Sequence, residues 1–330
     1  MEVKKSKSRY KFPWTRLREK GVLGMNQRNG DFIMPYNQRR YYPLVDDKRT
    51  TKKAAIAAGI PVPELYGNIE IDQQIDGFEA MVADHDEFVI KPANGSGGNG
   101  IVVIAGRNPT GLYRKANESP VSKEELHYHL SNILSGMYSL GGSNDAAILE
   151  YRVQFDTVFQ TVSYRGVPDI RTIVFLGIPI MAMSRLPTRA SDGRANLHQG
   201  AIGAGIDIES GQTTQGVFHN EIVNTHPDTG AYIQGLTIPH WDRILEMAAK
   251  CHEIAHLDYL GVDIVLDKNE GPMMLELNAR PGLNIQLCNG HGLLPLLNQA
   301  AKLTAIPPRF EARVELGKAI ASSVHQQRFA

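Results

Sequence analysis

The sequence predicts an α+β protein of two units, and three observations carry that expectation. A length of 330 residues suits roughly two domains, each with enough material for its own core. A glycine-rich stretch, 93–100, lies between two apolar β-branched runs, 88–90 and 101–104. In the second half, apolar or alternating runs at 158–164, 171–176 and 178–184 are separated by turns at Arg165-Gly166 and Leu176-Gly177, the pattern of an antiparallel sheet.

Taken in order, residues 1–47 form a basic and aromatic leading segment. From 21 onward it is polar without a period, which predicts loops or short strands. Asp46 to Lys53 leads into the helix formers of 54–58, and Gly59 and Pro61 stop the run, so 48–60 reads as a linking helix. The unit 61–150 begins with a strand and short helix over 64–82 and continues through the strand, glycine loop and strand. Then comes a capping box, Ser122-Lys123-Glu124-Glu125, with Leu126, Leu130, Ile133, Leu134 and Met137 at helical spacing behind it. That helix is expected to pack on the hairpin sheet, and 146–151 to close the unit as a strand. The unit 151–305 holds the antiparallel strands, a glycine-rich loop at 189–205, a helix over about 240–257, and a hairpin of strands 261–267 and 273–278. Residues 306–330 read as a tail.

Lysine plus arginine and aspartate plus glutamate both number 35, so overall charge gives no reason to expect nucleic acid. The first twenty residues differ. Lys4, Lys5, Lys7, Arg9, Lys11, Arg16, Arg18 and Lys20 stand against Glu2 and Glu19, with Phe12 and Trp14 among them. Such a start marks either a membrane-surface or nucleic-acid contact or a solvated terminus. No signal-like apolar stretch follows it, no run is long enough to span a bilayer, and Cys251 and Cys288 form no paired motif. These features together lead us to expect a cytoplasmic location.

Three patterns bear on chemistry. Gly95, Gly97 and Gly100 satisfy G-x-G-x-x-G, but a strand and not a helix follows, which removes the dinucleotide reading. The loop can still cradle phosphates beside Lys91, or be a plain hairpin loop. In the hairpin 262–278, alternation sends Glu276 and Asn278 to one face and Leu275 and Leu277 to the core, while Asp263 can join the polar face. That face is either a magnesium site or a solvated sheet surface. His252-Glu253-Ile254-Ala255-His256 matches the zinc-hydrolase spacing H-E-x-x-H. The plainer reading places Ile244, Met247, Ala248, Cys251 and Ala255 on the core face and the histidines at its edge, and charged Lys250 and Asp258 favour it. His127 and His129 fall on the exposed side of their helix, and Cys288 reads as a buried thiol.

Lys48, Lys91, the glycine loop and Asp263/Glu276/Asn278, in this order, resemble the ATP-grasp superfamily, and within it the glutamate-ligase branch that includes the enzyme adding glutamate to a ribosomal protein C-terminus. The chain looks like the alpha-L-glutamate ligase-like proteins over roughly 45–285. The motifs are Asp47-Lys48, Ile90-Lys91-Pro92, Glu150-Tyr151, Asp169-Ile170-Arg171, Arg194 to Gly200, Gly261-Val262-Asp263 and Glu276 to Gly282. The resemblance implies two α+β subdomains sandwiching ATP, with a short N-terminal segment in place of a full preceding domain. It implies that Lys48 and Lys91 hold phosphates, that the loop at Ser96, Gly97 and Gly98 closes over them, and that Glu150 and Tyr151 meet adenine. It further implies Asp169 at the ribose, Arg194 and Asn196 at the γ-phosphate and reacting carboxylate, and Asp263, Glu276 and Asn278 on magnesium, one ion or two, with manganese able to substitute.

The implied activity is an ATP-dependent carboxylate–amine ligase working through an acylphosphate, joining an amino acid such as glutamate to a peptide-like or protein acceptor. The alternatives are a phosphotransferase, a zinc hydrolase using His252, Glu253 and His256, and a nucleotide-binding module serving a partner. Only 47 residues precede Lys48, so the acceptor face must be built differently or be completed by a partner or a second copy. The connection from Tyr151 to Asp169 is long for the family, and Arg280 stands where a small residue is usual. Arg171, Arg185, Arg280 and His198 are the candidates for substrate anions, with structural ion pairs as the other reading of the arginines.

Overall fold

A computed structural model describes residues 12–95, 97–108, 111–139 and 141–326. Its frame is two antiparallel sheets. The first has six strands, β1 (Leu65–Ile69), β2 (Glu87–Pro92), β3 (Val102–Arg107), β4 (Tyr113–Lys115), β5 (Pro120–Val121) and β6 (Ala147–Tyr151), in the order β1-β6-β2-β3-β4-β5. The second has seven, β7 (Asp169–Phe175), β8 (Ile178–Leu186), β9 (Ile202–Ile206), β10 (Thr213–Phe218), β11 (Glu221–Val223), β12 (Tyr259–Asp267) and β13 (Gly271–Asn278), in the order β11-β10-β9-β8-β7-β12-β13.

The α+β expectation and the linking helix hold, and the latter is Lys48–Ala57 with Asp47 as its N-cap. The capping box forms as expected: Ser122 Oγ accepts from the Glu125 amide while Glu125 returns a carboxylate oxygen to the Ser122 amide. The helix behind it, Lys123–Leu134, buries Leu126, Leu130, Ile133 and Leu134 against Phe88, Ile90 and Ile104 of the first sheet. Met137, expected on the same stripe, lies beyond the helix end and is exposed. His127 and His129 are not on an exposed face: His129 Nε2 meets the Gly100 carbonyl at 2.9 Å, and the His127 ring packs edge-on to Phe78 with Nε2 buried and without a hydrogen bond among the described residues.

Period-two alternation divides the second sheet. One face sends Ile170, Val174, Val262, Ile264 and Leu266 toward the helix Trp241–Ala255. On the other face of β7, Ile173 and Phe175 join a second core, while Asp169 and Arg171 at the strand's start line an open cleft. That second core is capped by Leu23, Phe32 and Ile33 of the N-terminal segment and by the helices Leu294–Ala300 and Phe310–Gln326.

Four expectations need correction. Residues 25–46 form a chain of short helical turns, not strands, because Phe32 and Ile33 insert into a core that lies far away in sequence. The run 158–164 is a 3-10 turn over Thr157–Phe159 followed by loop, with Phe159 and Val162 buried by side-chain packing alone. The register shift between Asp263 and Ile264 lets both Leu275 and Glu276 leave the core face, and Leu275 packs with Val153, Val265 and Met273 at the cleft. The presumed tail contains the helix Phe310–Gln326, whose Gly317 sits so close to Pro179 that a β-carbon there would lie 2.1 Å from the Pro179 carbonyl oxygen.

Candidate active site

A cleft of about 930 Å³ lies between the two sheets. Its floor on the first sheet is a buried charge triad. Lys91 on β2 and Glu150 on β6 face one another 2.5 Å apart, and Glu150 also pairs with Lys52. All three are almost wholly buried, at 4 %, 3 % and 5 % exposure for Lys91, Glu150 and Lys52. Burial alone would raise the Glu150 carboxyl, but the two ammonium groups hold it below its ordinary value. One carboxylate for two lysines leaves a surplus positive charge in the floor. Lys52 was not singled out in the sequence, although it follows Lys48 by one helical turn and so faces the same side.

Lys48 approaches from the helix start. Its ammonium donates to the Gly95 carbonyl at 2.5 Å and lies 4.0 Å from Glu276, and burial lowers its pKa. The glycine loop is drawn down onto the second sheet's loop 194–199. Asn196 Nδ2 and Gln199 Nε2 both donate to the Gly97 carbonyl, at 3.3 and 3.2 Å. Asn196 Oδ1 meanwhile accepts from the His198 amide at 2.9 Å, which fixes the orientation of its amide group. Arg194 flanks Gly98, and His198 is exposed at the cleft rim. Ser96 lies outside the described residues.

The opposite wall is a row of ionic side chains across β8, β7, β12 and β13, placed by register: Asp169 is opposite Arg185, Arg171 opposite Asp263, and Asp263 opposite Glu276. Arg171 binds Asp263 through Nε and Nη2. Arg185 binds Asp169 the same way and reaches Asp263 at 2.7 Å. These are the bidentate geometries that the guanidinium fork favours. Asp263 is wholly buried, and against that burial Arg171 and Arg185 hold its carboxyl well below the usual range. Burial raises Asp169, with the Asp263 charge adding to it against the pull of Arg185. Glu276 and Asn278 stand at the open end of the row, and Asn278 Nδ2 lies 3.3 Å from Asp263 and 3.4 Å from Glu276.

At one end of the cleft the chain crosses between sheets through residues 151–156. Asp267, buried at the end of β12, holds this strap: one carboxylate oxygen accepts from Tyr151 Oη at 3.0 Å and the Gln154 amide at 2.7 Å, and the other accepts from the Asn269 and Glu270 amides. At the other end Arg280 lies over the Tyr42 ring, 4.9 Å from its centroid. The N-terminal segment thus supplies part of the wall, held by Asn37, which bonds the backbones of Tyr259 and Ala279, and by Arg28, which donates to the Pro281 carbonyl.

The H-E-x-x-H residues do not converge. His252 bonds Asp258 at 2.8 Å, Glu253 pairs with Arg313 at 2.6 Å, and His256 lies past the helix end in a left-handed conformation with its ring near Tyr41. Among the described residues no group of three His, Cys, Asp or Glu side chains is arranged to hold a metal ion.

A family model described as sugar-transfer associated ATP-grasp matches residues 27–302. The chain belongs to this ATP-grasp family. The ATP-grasp fold expected from the motifs is thereby shown, whereas the glutamate-ligase branch is not what the model describes. No curated protein matches the sequence. Solved structures similar to this ATP-grasp chain include the ATP-grasp ligase PsnB with a minimal precursor, at 15 % identity and a TM-score of 0.44, covering 81 % of this chain and 63 % of that one. A D-alanine–D-alanine ligase from Bacillus anthracis complexed with ATP gives 15 % identity and a TM-score of 0.42, covering 87 % and 68 %. The D-cycloserine synthetase DcsG gives 15 % and 0.40, covering 84 % and 71 %. The chain spans less than two thirds of the length of the PsnB structure. Among the described residues of this ATP-grasp protein, no helix is long and apolar enough to cross a membrane.

Proposed function

We propose that the protein is an ATP-dependent ligase that transfers a γ-phosphoryl group to a carboxylate and delivers the resulting acylphosphate to an amine. The observation that carries this reading is the cleft itself: a floor lined by Lys91 and Lys48, with Lys52 buried behind Glu150 and adding to the surplus positive charge, faces carboxylate and amide oxygens at Glu276 and Asn278, under a glycine loop held by Asn196 and Gln199. Phosphoryl transfer of this kind needs charge neutralisation and positioning more than a protein nucleophile.

In this reading Lys91 and Lys48 bind phosphates, and the strap 151–154 receives the base, with Tyr151 held by Asp267. Arg194 and Asn196 orient the transferred group and the carboxylate. Asp169, given to the ribose by resemblance, is paired with Arg185 and acts in our proposal by positioning the row. The oxygens of Glu276 and Asn278 suit a magnesium ion, which accepts a few hard protein ligands and fills its shell with phosphates and water. A bound magnesium would neutralise charge on the phosphates. Asp263 fits less simply, because both its oxygens are engaged by arginines; it would fix Arg171 and Arg185 and add its negative charge beside an ion held by Glu276 and Asn278. Arg280 and His198 remain our candidates for a substrate anion.

Amino acids, glutamate among them, with peptide-like acceptors are the reactants to test first. Two buried free thiols suit a reducing compartment such as the cytoplasm. The experiment is an ADP-release screen with the product identified by mass. An amide with ADP and phosphate supports ligation, a stable phosphorylated compound points to phosphotransfer instead, and undiminished turnover in purified Lys91→Ala would sink the site assignment.

A further inference from the structure

The helix Pro13–Glu19 buries none of its residues, yet it carries large apolar side chains. Phe12 and Trp14 are 55 % and 62 % exposed and stack on each other with centroids 4.7 Å apart, and Leu17, one turn after Trp14, is 51 % exposed. The helix is fastened immediately behind this face. The Gly292 and Leu294 amides donate to the Lys20 and Gly21 carbonyls, Gly21 and Gly292 approach too closely for any side chain on Gly292, and Gln286 brackets Leu23 with bonds to both its amide and its carbonyl. Met25 and Leu287, on either side of that fastening, are exposed too.

We propose that this face docks on an anionic phospholipid surface. Arg16, Arg18 and Lys20 accompany the apolar side chains on this short segment against a single Glu19, and the sequence before it holds Lys4, Lys5, Lys7, Arg9 and Lys11 against Glu2. The first twenty residues carry eight basic and two acidic groups in a chain with no net charge, so the remainder carries six more acidic than basic groups. An anionic bilayer therefore attracts this end and repels the body, which sets the orientation of the bound molecule. Indole and phenyl rings beside cationic side chains match the headgroup boundary, where apolar rings enter the acyl edge and charges meet phosphate. A helix this short presents no long apolar stripe for a partner helix. The inference is independent of the reaction catalysed.

The test uses the full chain with phosphatidylcholine vesicles, with and without phosphatidylglycerol, read by co-sedimentation and tryptophan emission. The protein has two tryptophans, and Trp241 is buried with its indole N–H on the Ile208 carbonyl, so a lipid-dependent blue shift reports Trp14. Binding and a blue shift are expected only with the anionic lipid, and both should weaken with added salt. Trp14→Ala/Leu17→Ala should weaken partitioning by roughly tenfold or more. Arg16→Glu/Arg18→Glu should remove the preference for anionic lipid. Because the helix buries nothing, both variants should keep the wild-type melting temperature. Equal binding to both vesicle types, or binding unchanged in the variants, would overturn the proposal. So would a lipid-free dimer that Trp14→Ala/Leu17→Ala dissolves, which would assign the face to a second copy.

Discussion

Replacing Glu150 by glutamine should destabilise the protein by about 3–5 kcal/mol, the cost of leaving buried charges without their partner. The carboxylate is the shared counter-ion of Lys91 and Lys52, and none of the three is more than 5 % exposed. Lys52 keeps the Pro63 carbonyl at 2.6 Å, a dipole in place of a charge. Unfolding entropy for 330 residues is roughly 0.7 kcal/mol/K, so the melting temperature should fall by about 4–7 °C. Burial already holds Lys52 below the ordinary lysine value of 10.5, and without Glu150 it should fall further. The folded variant then binds fewer protons than the unfolded chain between that lowered pKa and 10.5, so its stability rises with pH across this window. The loss relative to wild type is therefore largest near neutrality and shrinks under alkaline conditions. A nucleoside triphosphate analogue, by bringing negative charge to the floor, should stabilise the variant more than wild type. Differential scanning fluorimetry over a pH series measures all of this. A variant melting within about 1 °C of wild type at neutral pH would refute the account of a charge-loaded floor.

Three further perturbations test other parts of the cleft. In Gly166→Ala the new β-carbon would sit 1.7 Å from the Gly193 carbonyl oxygen, so the two loops must part; a loss of about 1–3 kcal/mol is expected, with weaker nucleotide binding because Arg194 follows Gly193. Unchanged melting would show that the two loops give way freely. Asn196→Ala/Gln199→Ala removes both donors to the Gly97 carbonyl; about 1–2 kcal/mol of closure should vanish, weakening ATP binding five- to thirtyfold in calorimetry while the melting temperature of the free protein falls by no more than about 3 °C. Unaltered affinity would dismiss the latch. Burial pushes the thiols of Cys251 and Cys288 up to about 12, so a thiol reagent at pH 8 should label neither in the native protein and both in guanidinium chloride. Rapid native labelling of either would contradict the packing around it.

The legible parts of this fold were those where local pattern and tertiary demand agree. The capping box at Ser122, the strand–glycine loop–strand unit and the 261–278 hairpin each state their geometry within about twenty residues. The site's cationic half is half visible: Lys48 and Lys91 stand out by motif, while nothing local distinguishes Lys52, whose partner Glu150 comes from β6. The arginines were the hardest. Whether Arg171 and Arg185 face substrate or neighbouring carboxylates depends on the register of β8, β7 and β12, which sets Arg171 against Asp263, 92 positions away, and leaves no local trace. The same holds for 25–46, whose helical turns exist because distant strands offer Phe32 and Ile33 a place to be buried.

The Asp267 carboxylate gives the two-sheet body a mechanical asymmetry. At the strap a single buried charge collects four donors, two from the crossing chain and two from its own turn, and none of them can leave without stranding it. At the far edge of the cleft the sheets meet through two neutral amide contacts on one glycine carbonyl, open to water. Thermal agitation will part the second long before the first. The molecule is accordingly a jaw with a charged pivot and a neutral clasp, and any opening should begin at the glycine loop while the other end keeps the bite aligned.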